Sequence, residues 1–350
     1  MKRIIFTQLL NWKESAERKV LLLRGARQVG KTFTVRELGK TFANYIEVNF
    51  EIDSDVCPFF NQNLDPNRIC QELSAFYGKP ILENETLLFF DEIQACPRAI
   101  SALRFFYENK PGLHVIAAGS LLEFALAELP SFGVGRIRSI FMYPMSFNEF
   151  LMANQMDQYV EMIRNASPDQ PMNSVFHEKL TEYFRKFLLT GGMPEVVRQL
   201  VENKSLYDAL NVLSDLALSI RDDFSKYRKR VPESRIREVF ASIVEQAGAK
   251  FVYSNVMAKA SLPQVKETLE LLIKAGLAYP VYHTSANGFP LGAQVDSKKF
   301  KVLLYDTGIF QHILGLNIRE YLVVEEMEMV NKGSLAEIYA GLELIKASSF

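Results

Sequence analysis

Apolar residues along the first half of the chain follow two spacings in turn, and the alternation predicts strands separated by helices. Lys19-Val20-Leu21-Leu22-Leu23 is a short continuous apolar run and predicts a buried strand. Phe33-Thr34-Val35-Arg36-Glu37-Leu38 then predicts the first turns of a helix. Ala43 to Phe50 predicts a second strand, followed by an acidic, proline-containing loop. Thr86-Leu87-Leu88-Phe89-Phe90 predicts a third, ending in Asp91-Glu92. Leu113 to Ser120 and Ile137 to Pro144 predict two more. Strands alternating with helical patterns imply βαβ units, hence an α/β fold with a parallel sheet. Residues 1–18 predict a helix, with Trp12, the single tryptophan, as a core or hinge contact.

The second half reads as mostly helical. Ser146-Phe147-Asn148-Glu149-Phe150 carries an N-cap signal. Within Thr190-Gly191-Gly192-Met193-Pro194-Glu195 the glycines end one helix and Pro194 can start the next. Residues 235–283 predict three short helices and a β-ribbon. The first has Ile236, Val239, Phe240, Ile243 and Val244 at helical spacing; the second opens at Tyr253 to Ala258; the third, Ser261 to Gly276, ends on glycine. Leu277 to Tyr282 follows as a strand. This is the layout of a winged helix. Gly333 to Leu344 predicts one further helix with an apolar face.

Composition narrows the function classes. A chain of 350 residues predicts two or three domains, and 48% hydrophobic with 23% charged residues suits a soluble protein with a large core. A net charge of −1 excludes a global attraction to nucleic acid or anionic membrane, so any basic surface is local. Cys57, Cys70 and Cys96 lack metal-ligand spacing and predict reduced thiols in a cytoplasmic protein. The four histidines are scattered and read as surface or packing residues. No apolar stretch reaches the ~18 residues of a membrane span, and Met1 to Phe6 is too short for a signal peptide.

The chemistry is concentrated at the first strand–helix junction. Gly25-Ala26-Arg27-Gln28-Val29-Gly30-Lys31-Thr32 fits the phosphate-binding loop pattern G-x-x-x-x-G-K-[ST]. Backbone N–H groups converge there and the helix dipole is positive. Gly25 and Gly30 let the main chain approach phosphate oxygens; Gln28, Val29, Gly30 and Phe33 belong to the same cradle. Lys31 can reach the β- and γ-phosphates of a bound nucleotide, and the Thr32 hydroxyl can hold Mg²⁺. Asp91, at the carboxyl end of a buried strand, is the second metal candidate, and Glu92 the group that orients or deprotonates the attacking water. Ser120, at the end of the next strand, reads either as a γ-phosphate sensor or as a helix cap. Arg136, with Arg138 behind it, reads as a finger that stabilises phosphate charge, from within the chain or across a subunit interface, or as a solvated arginine. Pro194 reads either as an adenine contact or as the start of a helix. Lys226 to Arg237 is the densest basic run and reads as a nucleic-acid contact or a solvated linker. The third winged-helix segment offers Gln264, Lys266 and Lys274, but also Glu267 and Glu270, so a protein partner suits it at least as well as DNA.

Together these segments resemble prokaryotic AAA+-type ATPases of the STAND-like archaeal-ATPase group. The matching runs are Gly25–Thr32, Phe89 to Gln94, Ala118-Gly119-Ser120, Gly135-Arg136, Tyr143 to Phe147, Thr190 to Pro194 and Leu304-Tyr305-Asp306-Thr307-Gly308. They extend over almost the whole chain in order. The resemblance implies an AAA+-like P-loop domain over 1–150, a helical lid and linker over 151–230, a winged helix over 231–300 and the start of a restriction-endonuclease-like domain over 301–350. It implies ATP and Mg²⁺ as ligands, an adenine contact for Gly192 and Pro194, and Arg136 as the finger. Glu337 would be the first acidic residue of the endonuclease-like part, whose later Asp and Glu-x-Lys pattern is absent, so no nuclease activity is expected. The helix around it, lacking a following partner for its apolar face, suggests an incomplete domain. The function expected is a slow Mg²⁺-dependent ATPase acting as a nucleotide switch, with a protein partner or homo-oligomer. A nucleic-acid-stimulated ATPase is the alternative, and a small-molecule kinase the weaker one.

Overall fold

The computed structural model describes residues 1–120, 122–128, 135–227, 230–256, 259–315 and 332–348. The chain divides into two compact units, residues 3–143 and residues 144–348 together with the first two residues.

The first unit is built on five parallel strands in the order β2-β3-β4-β1-β5. These are β1 (Val20–Arg24), β2 (Asn44–Asn49), β3 (Thr86–Asp91), β4 (His114–Ala118) and β5 (Ile137–Phe141). The central strands β3 and β4 are buried at every position, as continuous apolar runs in a parallel sheet must be. The edge strands β2 and β5 alternate. Helices α1 (Ile5–Glu14), α2 (Lys31–Gly39), α3 (Pro66–Tyr77), α4 (Pro97–Asn109) and α5 (Leu122–Glu128) complete the unit. Phe50, Phe60, Phe90 and Phe106 form a chain of aromatic contacts in the core, with centroids 5.6–5.8 Å apart. Trp12 is buried and donates its indole N–H to the Lys19 carbonyl at 2.7 Å, fixing α1 to the entry of β1.

One cysteine expectation is corrected here. Cys57 and Cys96 form a disulfide across 39 residues, with Cα atoms 5.9 Å apart. Cys57 lies in the 3₁₀ segment Ser54–Phe60 after β2, and Cys96 directly precedes α4. Their spacing in sequence carried no sign of this, because the sheet brings the loop after β2 beside the loop after β3. Cys70 is a free, buried thiol, pushed up to about 12 by desolvation.

The second unit contains helices α6 (Phe147–Ala153), α7 (Asp157–Asn165), α8 (Ser174–Thr190), α9 (Pro194–Asn203), α10 (Leu206–Asp223), α11 (Glu233–Glu245) and α12 (Leu262–Lys274). A hairpin of β6 (Ala278–Thr284) and β7 (Val295–Leu304) follows, then α13 (Thr307–Ile313) and α14 (Lys332–Ser348). Ser146 and Glu149 form the expected capping box, at 3.2 and 2.9 Å. The second of the three short helices is not a full helix: only a 3₁₀ turn, Tyr253–Asn255, forms before Met257 and Ala258, which lie outside the described residues.

Two sequence motifs meet in this unit. The buried Asp306 carboxylate accepts the Gly192 N–H at 2.7 Å and the Ile309 N–H at 3.0 Å, so it caps α13 and pins the glycine turn at once. Gly191 must be glycine: its φ is +70°, and a Cβ would sit 2.1 Å from Asp306 Oδ1. The helix expected to lack a partner has one. Leu335, Ile338 and Leu342 of α14 are buried, Tyr339 meets Phe184 edge-on at 4.7 Å, and Lys346 donates to the Met145 carbonyl at 3.1 Å. Glu337 pairs with Lys301 of β7. Leu335, Ile338 and Leu342 of α14 are therefore covered inside this unit, where the helix packs on β7 and α13, while Leu344 stays exposed.

Candidate functional site

The strand order explains the site. β4 lies between β1 and β3, so three carboxyl-terminal strand ends sit side by side at one sheet edge. The phosphate loop follows β1, Asp91-Glu92 follows β3, and Ser120 follows β4. In a parallel sheet this is the edge where backbone and side chains converge on a ligand.

The loop has the backbone of an anion cradle. Gly25 and Gly30 have φ of +139° and +94°, and Gln28 has +61°. A Cβ on Gly25 would lie 2.1 Å from the Met142 carbonyl oxygen, so the loop can pass there only as glycine. Helix α2 begins on Gly30 with no side-chain cap, leaving its first N–H groups directed out of the helix end. Val29 is buried and its carbonyl accepts from Arg3 at 2.7 Å; the same guanidinium donates to the Tyr143 carbonyl at 2.7 Å. Gln28 in the loop and Phe33 in the first turn of α2 are exposed.

The charged groups are close and poorly solvated. Lys31 is buried and donates to the Gly25 and Ala26 carbonyls at 2.9 and 2.8 Å. Burial pulls its ammonium down to about 8, opposed by the carboxylates of Glu92 and Asp91 and reinforced by Arg27. Thr32 donates to Asp91 Oδ2 at 2.8 Å. Burial, with the neighbouring Glu92 charge, holds the Asp91 carboxyl above the usual range, against the Thr32 hydrogen bond. A hydroxyl and a carboxylate joined in this way beside a lysine are the donor set expected of a Mg²⁺–phosphate position. The uncapped α2 N-terminus and the glycine cradle fit a polyphosphate. Among the described residues no group of three His, Cys, Asp or Glu gathers as a metal site, and this arrangement requires none, since phosphate oxygens and water would complete the sphere.

Glu92 has the unusual φ of +47°. Its Oε2 accepts from Gln94 Nε2 at 2.6 Å and from Ser120 Oγ at 3.3 Å. Ser120 Oγ in turn accepts from Arg27 Nε at 3.1 Å. Of the two readings of Ser120, the side chain is therefore engaged with Glu92. Gln94, Arg27 and Arg3 were not singled out from sequence as site residues. Gln94 is only two residues from its partner Glu92, whereas Arg27 and Arg3 meet partners distant in sequence, Ser120 for Arg27 and the Val29 and Tyr143 carbonyls for Arg3.

Other expected residues fall elsewhere. Arg136 precedes β5, whose register pairs Val20 with Ile137 and Arg24 with Phe141. The phosphate loop leaves β1 after Arg24, so Arg136 stands at the opposite sheet edge, the length of a strand or about 15 Å away. There it pairs with Glu108. In this position it lies away from the chain's own phosphate loop. Arg138 is exposed on β5. Gly192 and Pro194 belong to the second unit, where the Gly192 N–H is taken by Asp306 and Pro194 is the first residue of α9. The basic run is largely compensated: Lys226 lies 2.9 Å from Asp223, Arg237 2.6 Å from Glu233 and Arg235 3.8 Å from Glu267. Phe224 and Tyr227 beside it are buried, while Arg228 and Lys229 lie outside the described residues. No helix among the described residues is long and apolar enough to cross a membrane.

Comparisons with known proteins agree with this geometry. Residues 17–151 match the family model of an AAA domain, and residues 181–320 match a domain of unknown function, DUF8612. An uncharacterized protein of Haemophilus influenzae is 24% identical over 333 residues, 88% of this chain and 72% of that one. The Walker-type ATPase PABY2304 of Pyrococcus abyssi superposes with a TM-score of 0.55 at 17% identity, over 89% of this chain and 95% of the other. The Orc1 protein of Aeropyrum pernix, solved with DNA, covers 91% of this chain and 93% of its own at 14% identity, but a TM-score of 0.32 carries no argument. The chain is thus similar to P-loop ATPases, and the unit that holds the phosphate loop has the fold of an AAA-type P-loop ATPase.

Proposed function

We propose that this protein binds ATP with Mg²⁺ at the edge formed by β1, β3 and β4, and hydrolyses it slowly as a nucleotide switch. The observation that carries the reading is the Thr32–Asp91 hydrogen bond at 2.8 Å, with Lys31 and Glu92 close enough to interact electrostatically with Asp91. Bound Mg²⁺ supplies neutralisation of charge on the phosphate oxygens. Thr32 and Asp91 would hold it. The loop amides and Lys31 bind and orient the phosphates, Lys31 leaving the Gly25 and Ala26 carbonyls to do so. Glu92 receives the proton of the attacking water at a carboxylate oxygen. The pairing of a metal-holding acid with a separate water-activating acid supports hydrolysis over transfer to a small-molecule acceptor. Gly192 and Pro194 are proposed to contact the adenine, and Arg136 to act on a neighbouring copy's nucleotide. Residues 231–300 would serve as a winged helix, which α11, α12 and the β6–β7 hairpin support. The ion pairs of Lys226, Arg235 and Arg237 favour a switch over nucleic-acid stimulation.

Calorimetry and turnover assays test this directly. Lys31→Ala should lose ATP binding. Glu92→Gln should bind ATP with wild-type affinity and lose turnover. No uptake of any purine triphosphate by the intact protein with Mg²⁺ would overturn the reading.

A further inference from the structure

We infer that Gln94 is a positioning residue for hydrolysis: it holds one oxygen of Glu92 so that the other is left to take a proton from water. The inference rests on the reading of Glu92 given above. Oε2 of Glu92 is occupied by Gln94 Nε2 at 2.6 Å and Ser120 Oγ at 3.3 Å, with the Ser120 N–H at 3.5 Å. Oε1 has no hydrogen-bond partner among the described residues. The carboxylate thus has one oxygen saturated and one available.

The direction of the network follows from donor chemistry. A guanidinium only donates, so Ser120 Oγ must accept from Arg27 and has its own proton free for Glu92. On the other side, the Gln94 amide must present its nitrogen to Glu92, since a carbonyl facing a carboxylate would repel it. That orientation leaves Gln94 Oε1 buried with no partner. It points at Gly119, where even a Cβ would come within 2.1 Å of it. A glutamine serving only to fill space would not be expected to leave a buried carbonyl unsatisfied. The backbone bears a second cost: Glu92 sits at φ +47°, followed at once by the 3₁₀ turn Ile93–Ala95 that turns Gln94 back onto it. Two local costs at one contact mark a contact kept for function.

The test uses the full chain and five variants: Gln94→Ala, Gln94→Glu, Gly119→Ala, Glu92→Gln and Glu92→Ala. Gln94→Ala should lower kcat roughly 10- to 100-fold, the scale of a misplaced catalytic group, with ATP affinity by calorimetry unchanged. Gln94→Glu keeps the shape but replaces the donor with a like charge, so it should be no better than Gln94→Ala; a space-filling role predicts that it retains activity. Gly119→Ala displaces the Gln94 amide without altering it and should reproduce the Gln94→Ala kinetics. Independently of activity, a cycle of Gln94→Ala and Glu92→Ala on thermal unfolding of nucleotide-free protein should be non-additive. Wild-type kcat in Gln94→Ala, wild-type kcat in Gln94→Glu, or an additive cycle overturns the inference. If Glu92→Gln is inactive while Gln94→Ala is not, only this inference fails; full turnover by Glu92→Gln removes the reading beneath it as well.

Discussion

Lys31 is held in the nucleotide-free protein at a cost, and replacing it with methionine should make that form more stable. The ammonium is buried, and its pKa falls from 10.5 to about 8. That displacement corresponds to roughly 3 kcal/mol against the charged form. Lys31→Met removes this penalty at pH 7 and loses two hydrogen bonds, to the Gly25 and Ala26 carbonyls, each contributing about 1 kcal/mol. The expected net gain is about 1–2 kcal/mol, or about 3–6 °C in the melting of the phosphate-loop unit. The pH dependence is more decisive than the size. Between pH 8 and 10.5 the unfolded chain keeps a proton that folded Lys31 has released, so wild-type stability rises with pH in this window. The advantage of the variant should be full below pH 8 and nearly gone by about pH 9.5. Thermal and urea unfolding without nucleotide and with EDTA, at both pH values, measure this. Saturating ATP and Mg²⁺ should reverse the order at pH 7, because the wild type alone gains from binding. A variant less stable than wild type at pH 7, or a difference that does not change with pH, would refute the argument.

Further outcomes follow from single contacts. Gly25→Ala puts a Cβ 2.1 Å from the Met142 carbonyl at a φ of +139°, so the loop must shift; at a cost of about 3 kcal/mol, ATP affinity by calorimetry should fall roughly 100-fold. Asp306→Ala strands the Gly192 and Ile309 N–H groups and should destabilise the second unit by about 3 kcal/mol, with Asp306→Asn less harmful, both read by thermal unfolding. Peptide mapping without reductant should recover Cys57 joined to Cys96, and reduction of this 39-residue closure should cost up to about 4 kcal/mol in urea unfolding.

Local features of the site were readable from the chain because they depend on neighbours in sequence. The glycines at 25 and 30, the apolar run into Asp91 and the small residues before Ser120 each specify a strand and its exit within a few residues. The same holds for the Ser146–Glu149 capping box, a contact three residues long. What could not be read depends on which strand lies beside which. The order β2-β3-β4-β1-β5 brings Ser120 between the loop and Glu92, and the β1–β5 register sends Arg136 to the far edge. It also closes Cys57 onto Cys96 and joins Arg27 to Ser120 across 93 residues. In the second unit Asp306 reaches Gly192 across 114 residues, and β7 covers the face of α14 that looked unpartnered. Backbone conformation and hydrophobic period are set by adjacent side chains, so they are written locally. Long-range side-chain partnership is chosen only when whole elements pack, and that choice set Ser120 against Glu92 and made an ion pair out of Arg136.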